Sequence, residues 1–128
     1  MAACKRRWFG LNWFHAMKMI KCYIQYEKLE ALREKLFELG VPGISVIDAK
    51  GIGKPMSHLK SDPDLRVPQF HPCVEISVVL EAEAVDEVLD MIVKTVQTGN
   101  LSDGKIFVLP VEEAVRVRTG ERGKQALY

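Results

Sequence analysis

The strongest constraint on this chain is a strand–helix–strand order that occurs twice, once on each side of a proline-laden break. Met17–Tyr26 alternates, with Met19, Lys21 and Tyr23 on one side and Ile20, Cys22 and Ile24 on the other, as a half-buried strand does. Lys28–Leu39 carries Leu29, Leu32, Leu36 and Leu39 at helical spacing, and Gly40 follows as a C′ stop. Gly43–Lys50 is the second strand, with Ile44, Val46 and Ile47 apolar. Beyond the break, Cys73–Leu80 alternates at first and becomes apolar on both faces at Val78-Val79-Leu80, which suits a central strand. Ala84–Thr98 repeats Val85, Val88, Leu89, Ile92, Val93 and Val96 at threes and fours, with Glu87, Asp90 and Lys94 free to face water and Gly99 as its stop. The run Ile106–Leu109 supplies the last strand.

The order βαββαβ, with a long loop between the second and third strands, predicts an α+β ferredoxin-like sandwich. Two helices then cover one sheet face and leave the other bare. With Tyr23, Val46 and Val79 as its expected occupants, that face is too apolar to stay wet, so the chain is expected to oligomerise.

The break, residues 53–72, holds Pro55, Pro63, Pro68 and Pro72 and is expected to be irregular and exposed. A loop of nearly 20 residues in a compact domain is functional or disordered. Just before it, Gly51-Ile52-Gly53 gives the backbone room for a close approach. The 128 residues make one domain, and a net charge of +1 gives no reason to expect nucleic acid or an anionic membrane as partner. Three cysteines, odd in number and far apart, argue against a disulfide framework. No apolar run approaches the roughly 20 residues a membrane span needs, so direct membrane insertion is not expected and the cytoplasm is the default location. Residues 1–16 differ in character, with Lys5, Arg6 and Arg7 leading into Trp8, Phe9, Trp13 and Phe14. They are expected either as a disordered or opportunistically packed extension, or as the product of a start codon placed too far upstream of Met17-Lys18-Met19-Ile20. The folded domain is then 17–128.

Chemistry gathers in Thr98–Gly123, TGNLSDGKIFVLPVEEAVRVRTGERG. A turn at Asp103-Gly104 can present backbone N–H groups to an anion, with Lys105 beside it as a point charge. On an extended chain Arg116 and Arg118 point to one side, where two guanidinium forks can converge on a polyanion. Each piece alone is more often a plain turn or a solvated strand face. In this order, TG-x3-DGKIFV followed by PVEEAVRVRTGERG closely resembles the B-loop and C-loop of the PII nitrogen-regulatory signalling proteins, and the resemblance runs from about Met17 to Leu127.

The resemblance implies a homotrimer that binds ATP or ADP between subunits and regulates a membrane transporter or metabolic enzyme through a T-loop, here residues 53–72. Carried over by position, it implies a nucleotide site with Ser45, Gly51, Gly53, Lys54 and Val79 on one side. Ser102, Asp103, Gly104 and Lys105 form the B-loop wall, and Arg116, Val117 and Arg118 stand beside the phosphates. Mg²⁺ is an accompanying ion in that scheme. Three departures are visible: Pro55 and Cys73 stand where the family has the glutamine and lysine that serve 2-oxoglutarate, and Ser77 replaces a glutamate near the base. No Tyr lies between Tyr26 and Tyr128, so the uridylylation site is missing. Neither a proline nor a thiol replaces an oxygen ligand and an ammonium, so 2-oxoglutarate sensing in the usual manner is expected to be lost while nucleotide binding survives.

Other classes have less behind them. His58, His71 and Cys73 are candidate metal ligands, and a CutA-like trimeric metal or small-ligand binder is the alternative, but His71-Pro72-Cys73 is not a recognised ligand spacing. No Ser-His-Asp set, paired catalytic carboxylates or Walker-type loop appears, so the chain is not expected to be an enzyme.

Overall fold

A computed structural model describes residues 16–53 and 70–128. The expectations placed on residues 1–15 and on 54–69, including Lys54, Pro55 and His58, lie outside the described residues. Four strands and two helices follow one another as β1 (Met17–Ile24), α1 (Leu29–Glu38), β2 (Ser45–Gly51), β3 (His71–Glu81), α2 (Val85–Val96) and β4 (Gly104–Val111). A short 3-10 turn leads into each helix, and another, Gly123–Leu127, closes the chain. The strands form one sheet in the order β2-β3-β1-β4, with every neighbouring pair antiparallel. This is the ferredoxin-like arrangement that the element order predicts.

One face of the sheet makes the core. Ile20, Cys22 and Ile24 of β1 and Val74, Ile76, Val78 and Leu80 of β3 lie buried against Leu32 and Leu36 of α1 and Val85, Val88, Ile92 and Val96 of α2. Burial pushes the Cys22 thiol up to about 11, so it serves as a small neutral hydrophobe. The first helix ends as its sequence predicts. Gly40 turns to φ 78°, its N–H donates to Phe37 O, and that of Val41 to Leu36 O, which is a Schellman closure.

Three local expectations change. Val46 pairs with buried Ile76 and therefore stands on the helix side, although 44% exposed; its neighbour Ile47, opposite Glu75, takes the bare face. The second helix stops at Val96, before Gly99, and its last ladder bond runs from the Gln97 N–H to Val93 O. Strand β3 begins at His71, so Pro72 lies within it, opposite Lys50. β1 reaches only as far as Val74, so at Pro72 one side of β3 has no strand beside it and a missing N–H costs no ladder bond there.

Among the described residues the second sheet face carries no α-helix, only the closing 3-10 turn, whose Ala126 and Leu127 approach Met19, Ser77 and Val79. Met19, Val79, Ile47, Phe107 and Leu109 give this face apolar surface, while Glu75 accepts from the Tyr23 hydroxyl at 2.6 Å and pairs with Lys21 at 3.7 Å. Phe107 meets the Tyr23 ring edge-on at 6.2 Å.

Adjacent positions on α1 test the layering. Leu36→Ala, at a fully buried site, is expected to cost about 2–5 kcal/mol of unfolding free energy. Phe37→Ala, at a site 52% exposed, is expected to cost under about 1 kcal/mol. Urea midpoints of the two variants check the order.

Candidate functional site

Because the strands are antiparallel, the ends of β1 and β2 and the starts of β3 and β4 come together at one end of the sheet. Ile24 pairs with both Val74 and Gly104, and Gly51 with His71. They enclose an open hollow of about 760 Å³ whose lining includes Gly51, Ile52, Gly53, Ser102, Gly104 and Lys105. Lys50 and Lys105 outnumber Glu27, the carboxylate that also lines it, so the hollow favours an anion. His71 and Cys73 stand at the same hollow. Among the described residues no group of three His, Cys, Asp or Glu side chains could hold a metal ion, and His58 is outside them.

The loop between α2 and β4 is tied down on both sides. At one side the Asp103 carboxylate accepts from the Thr98 backbone N–H at 2.7 Å, the Gly99 N–H at 2.9 Å and the Thr98 hydroxyl. These bonds, that of the Thr98 hydroxyl foremost, hold the carboxyl below its ordinary range. Asp103 thus shapes the loop through its carboxylate, a role its place in the motif does not reveal. Gly104 sits at φ 112°, and a Cβ there would lie 1.8 Å from the Tyr23 carbonyl oxygen. Only glycine allows β4 to start so close to β1.

Ser45 and Val79 are elsewhere. With Met19, Ser77, Ala126 and Leu127 they line a second, smaller hollow of about 360 Å³. Ser45 and Gly51 occupy the two ends of β2, a separation of about 20 Å at strand rise. The sequence-based grouping of Ser45 and Val79 with Gly51 and Gly53 on one wall therefore does not hold within a single chain. Arg116, Val117 and Arg118 line neither hollow. They lie in a closed loop rather than on a strand: the Arg116 N–H donates to Glu121 O, the Gly120 N–H donates to Arg116 O, and Val117 is 98% exposed. The Arg116 guanidinium reaches Gln125 O at 3.5 Å, next to the Ala126 and Leu127 of the second hollow. Two separate hollows result, one lined by glycines and lysines, the other by an apolar wall with an arginine nearby. Lys50 and Gln25, at the first hollow, were not legible as site residues; each lies near a strand end without a motif of its own.

The family described as Nitrogen regulatory protein P-II matches residues 17–121. The chain belongs to the P-II family. A Nitrogen regulatory protein P-II of Azospirillum brasilense is 43% identical over 112 residues, 87% of this chain and all of the relative. That of Mesorhizobium japonicum is 44% identical over the same share. Among solved structures, Arabidopsis thaliana PII bound to citrate is similar at TM-score 0.71 and 30% identity, covering 87% of this chain and 92% of that one. The B. subtilis GlnK–ATP complex shares the fold at TM-score 0.74 and 24% identity, covering 86% of this chain and 94% of that one.

In this P-II protein the Asp103 clamp carries a pH dependence. Its folded pKa lies below the unfolded one, so its contribution is complete above the ordinary carboxylate range and is lost as pH falls through the lowered value. The protection factors of the Thr98 and Gly99 amides, their exchange rates relative to the intrinsic rate at each pH, are expected to fall in acid and, in Asp103→Ala, to be low at every pH. Amide NMR across a titration checks this, and protection of those amides in the variant would contradict it.

Proposed function

We propose that this P-II protein is a nucleotide-sensing regulator that acts as a homotrimer, with ATP or ADP held at the seam between neighbouring subunits. The observation that carries the reading is the separation of the two half-sites. The cationic hollow at Gly51–Gly53 and Ser102–Lys105 and the apolar wall at Ser45 and Val79 stand at opposite ends of β2, so one chain cannot close both around one ligand. A neighbour can supply the missing half, and the helix-free sheet face provides a surface on which to assemble. In the joined site Lys105, Lys54 and the loop amides take phosphate oxygens, Mg²⁺ accompanies them, and Arg116 and Arg118 enter from the adjacent subunit. The GlnK relative of this fold is a complex with ATP, which supports the choice of ligand.

Regulation follows from position. Residues 53–72 depart directly from the phosphate-side glycines, so a nucleotide that binds one arrangement of the segment better than another shifts its population, typically by 1–3 kcal/mol of coupling. The segment then meets a membrane transporter or a metabolic enzyme from the cytoplasm. Among the described residues no helix is long and apolar enough to cross a membrane. The role is regulatory rather than catalytic. Cys73, half-buried at the first hollow, carries no ammonium for a 2-oxoglutarate carboxylate, and with Pro55 and Ser77 it makes standard 2-oxoglutarate sensing unsupported.

Calorimetry with ATP, ADP and AMP tests the central reading, and absence of binding by all three would sink it. Replacing Arg116 and Arg118 together by Ala is expected to weaken ATP binding at least about a hundredfold, since each charge-assisted bond is worth about 1.5–3 kcal/mol. Unchanged affinity would remove the arginines from the site. With ATP and Mg²⁺ present, titration with 2-oxoglutarate is expected to give no saturable heat.

A further inference from the structure

Gln25 leaves the end of β1 with an extended backbone and reaches across to the loop that precedes β4, a separation of 77 residues in sequence. Its Nε2 lies 2.6 Å from Ser102 Oγ and 3.3 Å from Ser102 O. The second contact settles how the amide is turned: a backbone carbonyl only accepts, so the group facing it must be the NH₂. Ser102 Oγ is thereby an acceptor toward Gln25, and its own hydrogen has to point elsewhere. Gln25, Ser102, Gly104 and Lys105 all line the first hollow. With Asp103 clamping the loop to Thr98 and Gly99, Gln25 is the second tie, and it acts on the hydroxyl itself.

We infer that Gln25 is a positioning residue that fixes the Ser102 hydroxyl as a donor into the anion hollow, and so adds a directed hydrogen bond to a nucleotide phosphate oxygen. The inference rests on the nucleotide reading above and names a group outside the loop and arginine motifs. The chemistry suits the ligand: a phosphate oxygen accepts only, so a hydroxyl held as donor discriminates for it, whereas an untethered one divides its time between donor and acceptor roles. Gln25 acts by touching Ser102 rather than the ligand.

The test is a double-mutant cycle on the full chain, read by ATP calorimetry. Gln25→Ala and Ser102→Ala are each expected to weaken ATP binding by about tenfold, the size of one hydrogen bond to a charged group. The double variant is expected to bind no more weakly than Ser102→Ala alone, because Gln25 works only through that hydroxyl. Gln25→Glu is expected to be worse than Gln25→Ala, since a carboxylate would take the Ser102 hydrogen for itself and bring negative charge to the hollow. Losses that multiply to about a hundredfold in the double variant would overturn the inference, because a purely structural Gln25 acts independently of the hydroxyl. Native ATP affinity in Gln25→Ala would overturn it as well. A native protein that fails to bind ATP removes the functional reading and this inference together, whereas native binding with an intact Gln25→Ala affinity removes this inference alone.

Discussion

Where Ile24 pairs with Gly104, the start of β4 runs so close to β1 that any side chain at 104 would collide with the Tyr23 carbonyl oxygen. This backbone contact sets the position of everything around the first hollow. It places Lys105 opposite Tyr23 on the helix-free face, sets Phe107 edge-on to the Tyr23 ring, and brings Ser102 within reach of Gln25. A register slip of one residue would turn Lys105 to the helix side and leave Lys50 as the only lysine in the hollow's described lining. The glycine is therefore needed for geometry first, and any contact its N–H makes with an anion depends on that.

A sheet covered on one side only leaves two demands unmet in a single chain. The apolar residues of the bare face need a cover, and on the proposed function the two hollows need partners. Both can be met by the same act of association, since Val79 belongs to the bare face and to the second hollow, and Lys105 to the bare face and to the first. The paired Glu75, Lys21 and Tyr23 in the middle of that face carry a cost if it is covered, because charged groups lose water there. Their mutual bonds offset it and restrict the geometries in which a second subunit can approach.

The fold was legible where periodicity was strong. The alternation of Ile20, Cys22 and Ile24 and the spacing of Val85, Val88, Ile92 and Val96 both correspond to buried faces. Strand β2 was legible only as a strand. It is an edge with apolar Val46 and Ile47 side by side, a pair whose pattern does not say which faces inward, and pairing with Ile76 decides it. Pro72 was set outside regular structure because proline ends most strands; here β1 stops short and the penalty disappears. Of the candidate site, the loop motif was legible because glycine, aspartate and lysine must follow in order. The Gln25–Ser102 tie was not, since two ordinary polar residues 77 positions apart carry no local signal.

The two arginines of the C-terminal motif differ in a way their spacing hides. Arg116 is half-buried and held through its own backbone on both sides, by Glu121 O and the Gly120 N–H, with its guanidinium resting near Gln125 O. Arg118 lies in the exposed turn and has no hydrogen-bond or ion-pair partner among the described residues. Ordering a free arginine costs up to about 2 kcal/mol of rotamer entropy, a substantial part of the roughly 1.5–3 kcal/mol its contact with a phosphate returns. Arg116, less exposed and with a single guanidinium contact at 3.5 Å, has given up only part of that freedom. On the proposed function the arginine pair is thus asymmetric, the less exposed Arg116 having less freedom to lose on meeting a phosphate than Arg118.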